Sequence, residues 1–170
     1  MKTRDLALGG VLAAASVSVL LLGGLIPVGT YAAPMLASVP PVVLLRRLSK
    51  GLCWGWYAVV GLLSLILCAD RETALVFVFL GWYPIVRPGL ERLPRLPRLG
   101  LKLCVFNAAV AALYALLIFV FRLDAVVQEA RELSLLMGIA LFVLGNVAFL
   151  LYDRFLAVLT IYTERRAGKR

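Results

Sequence analysis

The 170-residue sequence has no histidine, only three cysteines, and 9 acidic residues against 18 basic ones. Without histidine, most acid–base schemes lose their usual proton carrier, and no Ser–His nucleophile can be assembled. Cys53, Cys68 and Cys104 show no CxxC spacing, so they read as packing or lipid-facing thiols rather than a metal site or disulfide framework. There is no P-loop or Gly-rich nucleotide fingerprint, and no GxSxG or HExxH. Nor is there a cluster of acids of the kind that holds magnesium for lipid phosphotransfer. Neither enzyme activity, nor a cofactor, nor a metal is expected. Charge is scarce as well: 16% of residues are charged, where a soluble domain carries about 25%.

What fills the chain is apolar sequence, 63% of residues. Long apolar runs place it in a membrane. Six runs are expected to span: Leu6–Ile26, Tyr31–Leu45, Leu52–Ala69, Thr73–Val86, Leu101–Phe121 and Leu133–Tyr152. The first, with its basic start, resembles a signal peptide in outline. Its length, Pro27 after it and the apolar sequence beyond favour retention as a span. The fold class is therefore all-α, a polytopic bundle of six transmembrane helices in one domain over 1–170. The tail, 153–170, continues as helix and ends in solvated basic residues. The second run holds Pro34, Pro40 and Pro41, and the fourth holds Pro84. Such helices persist in a bilayer when neighbours satisfy the carbonyls that proline leaves without a donor. Both are expected to be irregular and packed inside.

Six spans sort the basic residues. All of the 18 except Arg71, Arg122 and Arg131 fall on one side, while the acids divide between both. A Lys/Arg bias with indifferent acids is the positive-inside pattern. Both termini are thus expected in the cytoplasm, of a bacterial plasma membrane given the absence of eukaryotic targeting motifs. Trp54, Trp56, Tyr57, Trp82 and Tyr83 fall at expected span ends and read as interfacial belt residues. The basic stretch ERLPRLPRLG, 91–100, joins the fourth and fifth spans. It lacks the stacking aromatics and polar base readers of a nucleic-acid site. Pro94 and Pro97 are expected to keep it extended, and its arginines to meet anionic lipid headgroups.

Within the spans, Asn107 and Asn146 are the clearest polar side chains, at similar depth on the fifth and sixth helices. They suit a hydrogen bond between helices or a ligand contact. On the first span, Gly9 with Ala13 and Gly10 with Ala14 form small-xxx-small pairs, suited to internal packing or to docking a separate subunit. The outer loops contribute Thr30, Tyr31, Arg71, Glu72, Tyr114, Arg131 and Glu132 as candidates to touch a small molecule entering from outside. No buried charge is expected inside a span, which disfavours a self-sufficient proton-coupled carrier.

Several stretches together carry a family resemblance. They are the small-residue first helix TRDLALGGVLAAASVSVLLLGG, the uncharged loop IPVG, the proline-containing PPVVLL, and GNVAFLLYD in the last helix. With six spans in a short chain and cytoplasmic ends, this resembles the substrate-binding S components of energy-coupling factor transporters, the vitamin and micronutrient uptake systems of prokaryotes. The resemblance implies capture of a small nutrient on the outer face for ATP-driven uptake. It implies a transmembrane coupling subunit against Ala7, Gly10 and Ala14, two cytoplasmic ATPases, and a gate over Pro27 to Ala33. An integral membrane adaptor without a ligand is the alternative. Replacing Arg92, Arg95 and Arg98 together by glutamine is expected to weaken topology or subunit docking while sparing ligand binding. A C-terminal reporter of sidedness and recovery of the intact complex check it; unchanged readings in both would show the arginines idle.

Overall fold

The computed structural model describes residues 3–26, 29–119 and 134–167. Among them the chain is helical: α1 (Thr3–Gly23), α2 (Gly29–Ala37), α3 (Pro41–Leu44), α4 (Lys50–Leu67), α5 (Arg71–Leu80), α6 (Tyr83–Leu90), α7 (Arg95–Phe119) and α8 (Leu135–Ala167). Among the described residues, five stretches are long and apolar enough to cross a membrane, and Gly29–Leu44 is a shorter apolar sixth. The chain divides into two compact units: Met1–Arg92 with Phe155–Arg170, and Leu93–Arg154.

The first unit is built around α5. Thr73, Ala74, Leu75, Val76 and Phe77 are all buried, because α2 and α4 both pack against this helix. Its core joins Val17 and Leu20 of α1, Ala37, Leu44, Cys53, Trp56 and Val60, with Ala74, Phe77 and Ile85. Residues Arg71–Leu90 are 56% buried over their most apolar stretch, against 28% for α1 and for α4. Apolar side chains on the outer faces of α1 and α4, such as Val11, Leu22, Leu62 and Ile66, stand exposed, as lipid-facing residues do.

The prolines act as the sequence suggests, and each break has a traceable remedy. Pro41 has no N–H to give the carbonyl four residues back, which belongs to Ala37. The buried hydroxyl of Ser16 on α1 donates to that carbonyl instead, at 2.8 Å. Ser38 to Pro40 then form the turn between α2 and α3. The fourth run breaks at Gly81 and Trp82 into α5 and α6, with Pro84 in the first turn of α6. At this break the Tyr57 hydroxyl of α4 donates to the Val78 carbonyl. Gly81 is required there: a Cβ would lie 2.6 Å from the Phe77 carbonyl oxygen and 2.9 Å from its ring.

Helix ends follow local chemistry. Ser49 caps α4, its side chain accepting from the Leu52 N–H, and Asp70 caps α5, accepting from the Glu72 and Thr73 N–H groups. The intervening turn is short, so α4 and α5 form an antiparallel helical hairpin. Trp56 is not a belt residue. It is buried and its indole N–H donates to the Gly9 carbonyl at 3.1 Å, which locks α4 to α1.

The stretch ERLPRLPRLG is helical over its second half, contrary to the extended loop expected. Arg87 is buried in α6 and pairs with Glu91 at 2.9 Å. After a turn, α7 starts at Arg95, and the Arg98 N–H closes its first turn on the Pro94 carbonyl at 3.1 Å. Proline in a first helical turn removes only an N–H that has no intrahelical partner anyway. The last helix is also longer than the expected span. Its 33 residues extend ~50 Å, well beyond a ~30 Å hydrocarbon layer.

The second unit pairs α7 with the first part of α8. Three contacts set the arrangement: Lys102 with Asp153, Phe106 with Phe149, and Asn107 with Asn146. Numbers rise along one helix as they fall along the other, so the pair is antiparallel.

The end of α1 and the start of α2 approach closely at their glycines. A Cβ on Gly23 would lie 2.0 Å from that of Ala33, and one on Gly29 would lie 2.2 Å from the Gly23 carbonyl oxygen. Gly23→Ala is expected to cost about 1–3 kcal/mol through overpacking, seen as a lowered melting temperature in detergent. Gly10→Ala, whose Cβ meets nothing within 4 Å, should leave the transition in place.

Candidate functional site

Two polar constellations stand out, one in each unit. In the first unit, the start of α2 meets the start of α5. The Asp70 carboxylate caps α5 and also accepts from the Thr73 hydroxyl at 2.5 Å and the Thr30 hydroxyl at 3.3 Å. Beside this, the Tyr31 hydroxyl donates to Glu72 at 2.8 Å. Thr30, Tyr31 and Glu72, candidates from two different loops, are thus brought together. Gly24 lies against the same corner, 3.0 Å from the Asp70 Cβ at its notional Cβ. Arg71 is exposed beside them. Two carboxylates and two hydroxyls here form a latch between chain segments, with one cation at its edge.

The remaining candidates are distributed differently. Tyr114 lies on α7 in the second unit and is partly exposed. Arg131 and Glu132 lie outside the described residues. Ala7, Gly10 and Ala14 share one face of α1, and all three are exposed. Gly9, one position along, is buried on the opposite side, near Leu48 and under the Trp56 indole. The small residues of α1 therefore serve two purposes. Gly9 presents its carbonyl to Trp56 of α4, and the Ala7–Gly10–Ala14 row stays open.

In the second unit, one seam carries a charge pair, an aromatic pair and an amide pair in sequence. Lys102 Nζ donates to both oxygens of Asp153, at 2.9 and 2.7 Å. Their side chains are 4% and 15% exposed, so the pair is shielded from solvent. Next comes Phe106 stacked on Phe149, with ring centroids 4.4 Å apart. Asn107 and Asn146 then exchange hydrogen bonds of 2.9 and 3.2 Å. Each amide also donates to its own helix, Asn107 to the Leu103 carbonyl and Asn146 to the Phe142 carbonyl, both at 2.8 Å. Both N–H groups of each amide are thus used, the condition for burying such groups without penalty.

No protein-family model, curated protein or solved structure matches this chain. The site must be read from its own chemistry.

The Lys102–Asp153 pair is a shielded ion pair at one end of the α7–α8 seam. Its signal was present in the sequence. If Asn107 faces Asn146 on antiparallel helices, then Lys102, five residues before one, comes level with Asp153, seven residues after the other. Ser16 and Trp56 were also missed as polar anchors. A lone serine in an apolar helix and a tryptophan near a helix start do not announce which carbonyl they will reach.

Removing one member of a shielded ion pair leaves the other uncompensated, at a cost of about 3–5 kcal/mol, whereas replacing both with apolar groups is often neutral. Lys102→Met is therefore expected to destabilise the protein strongly, and Lys102→Met with Asp153→Leu to recover most of the loss. Denaturant titration followed by circular dichroism reads both. A single variant as stable as the parent would show that the pair carries no energetic role.

Proposed function

We propose that the chain is the substrate-capturing subunit of a membrane uptake system of the energy-coupling factor kind. In this reading its termini lie in the cytoplasm of a bacterial plasma membrane, and the Asp70 end of the first unit faces outward. A small nutrient approaches that end, where Thr30, Tyr31, Arg71 and Glu72 offer hydroxyl, carboxylate and guanidinium groups. Tyr114, on the second unit, and Arg131 and Glu132, outside the described residues, are the other candidates read from the sequence. A separate transmembrane coupling subunit, driven by two cytoplasmic ATPases, docks on α1.

The observation that carries this reading is the open face of α1. Ala7, Gly10 and Ala14 follow at i, i+3 and i+7, all exposed, and nothing stands within 4 Å of a Cβ at Gly10. Small side chains let a partner helix approach closely enough for backbone-level packing. The internal α1–α4 contact runs through other residues of α1, among them the Gly9 carbonyl that the Trp56 indole reaches, and leaves this outer row exposed.

A second reading, an integral membrane adaptor with no ligand, is favoured by the latch itself. The hydroxyls of Thr30 and Tyr31 are already engaged by Asp70 and Glu72. In that case the α1 face still docks a partner, but not a transporter subunit.

Affinity purification in mild detergent is expected to bring down a second membrane subunit and ATPases. Gly10→Leu with Ala14→Leu should abolish their recovery without shifting the melting temperature, since both positions are open. Wild-type protein recovered with a stable partner that is not a transporter subunit, and no retained small molecule by native mass spectrometry, would overturn the uptake reading in favour of the adaptor.

A further inference from the structure

The end of the first unit opposite Asp70 collects positive charge from three separate segments. The Arg47 guanidinium of the α3–α4 turn stands 3.8 Å from Asp5 in the first turn of α1. Arg46 of the same turn reaches α8, donating to the Thr160 carbonyl at 3.2 Å and to Glu164 at 2.8 Å. These contacts bring Arg4, Arg46, Arg47, Lys50 and Arg165 to one end, and the acids among them are Asp5 and Glu164. Glu164 is taken by Arg46. Asp5 holds Arg47 only loosely, and that side chain remains 44% exposed. Arg4 and Lys50 are exposed and pair with no acid among the described residues.

Lys50 also heads a row along α4. Residues four apart on a helix are surface neighbours and form a ridge inclined to its axis; Lys50 is followed at that spacing by Trp54, Ala58, Leu62 and Ile66. All five are exposed. Trp54 is steadied by an edge contact with Tyr57, centroids 5.7 Å apart. The row runs from ammonium, through indole, to a short side chain and then aliphatic ones. This order matches a glycerophospholipid: an anionic headgroup, an ester region at the depth where tryptophan settles, and acyl chains beyond.

We propose that Lys50 and Arg47, with Arg4 nearby, bind the headgroup phosphate of an anionic phospholipid, whose ester region lies on Trp54 and whose chain runs over Ala58 and Leu62. A zwitterionic headgroup brings its own cation and gains little from a site with surplus positive charge. Basic residues near a membrane surface each attract anionic lipid by an amount equivalent to about fivefold in binding. The proposal rests on the chain's lying in a membrane and is independent of any uptake role.

The test is native mass spectrometry of the full-length detergent-purified protein, with phosphatidylglycerol or phosphatidylcholine added at equal concentration. Wild type should retain one phosphatidylglycerol in clear preference to phosphatidylcholine, and lose that preference at high salt. Lys50→Gln with Arg47→Gln should lower retention by about fivefold for each cation removed, with an unchanged melting temperature. Equal retention of the two lipids by wild type overturns the proposal without recourse to any variant. So does a folded double variant that retains phosphatidylglycerol undiminished, or displacement of the lipid by millimolar inorganic phosphate, which would mark a free-anion site.

Discussion

A backbone carbonyl deprived of its donor inside apolar surroundings must be given another, and much of the first unit follows from that constraint. Pro41 deprives Ala37, and Ser16 restores the bond at 2.8 Å. That one hydrogen bond spans from α1 to the break between α2 and α3, so it fixes where the broken helix sits against an unbroken one. The same logic operates at the α5–α6 break, where Tyr57 reaches the Val78 carbonyl. Glycines add a second constraint: at Gly23 and Gly29 the end of α1 meets the start of α2 at distances that no Cβ would allow, and at Gly81 the chain turns tightly over Phe77.

The second unit solves a different problem. Its helices bury little of themselves, 17% of Pro97–Leu116 and 11% of Leu135–Arg165 over their most apolar stretches. Apolar burial against protein gives little advantage where lipid is an equally good solvent. Specificity must come from groups that lipid cannot satisfy. Lys102 with Asp153 and Asn107 with Asn146 are such groups, and the Phe106–Phe149 stack between them fits the helices at one register. Sliding either helix by one residue would break all three contacts together.

Surface chemistry divides the molecule further. The α1 helix turns Gly9 inward to the Trp56 indole and leaves Ala7, Gly10 and Ala14 outward. The α4 helix likewise turns Trp56 inward and Trp54 outward. Two residues of the same type, two positions apart, thus serve packing and surface. The first unit ends in a hydroxyl–carboxylate latch on one side and in surplus positive charge on the other. These are the ends at which an apolar helical unit meets headgroups and water.

Helix content, the long apolar runs and the positions of the proline breaks were legible in the sequence, because each depends on residues near one another in the chain. The Ser49 and Asp70 caps have the same local basis. The boundaries moved where a local rule was applied too strictly: Pro94 and Pro97 were expected to hold ERLPRLPRLG extended, yet proline is compatible with a first turn and α7 begins there. Of the candidate residues, Thr30, Tyr31 and Glu72 met because their two helix starts converge at one end. Arg71 stayed at the edge, and the α1 row proved open. What only the tertiary structure decided was pairing. Ser16 with Ala37, Trp56 with Gly9, Arg46 with Glu164 and Lys102 with Asp153 lie far apart in sequence. A polar side chain in an apolar helix declares that it needs a partner, but the choice of partner depends on which helices pack together.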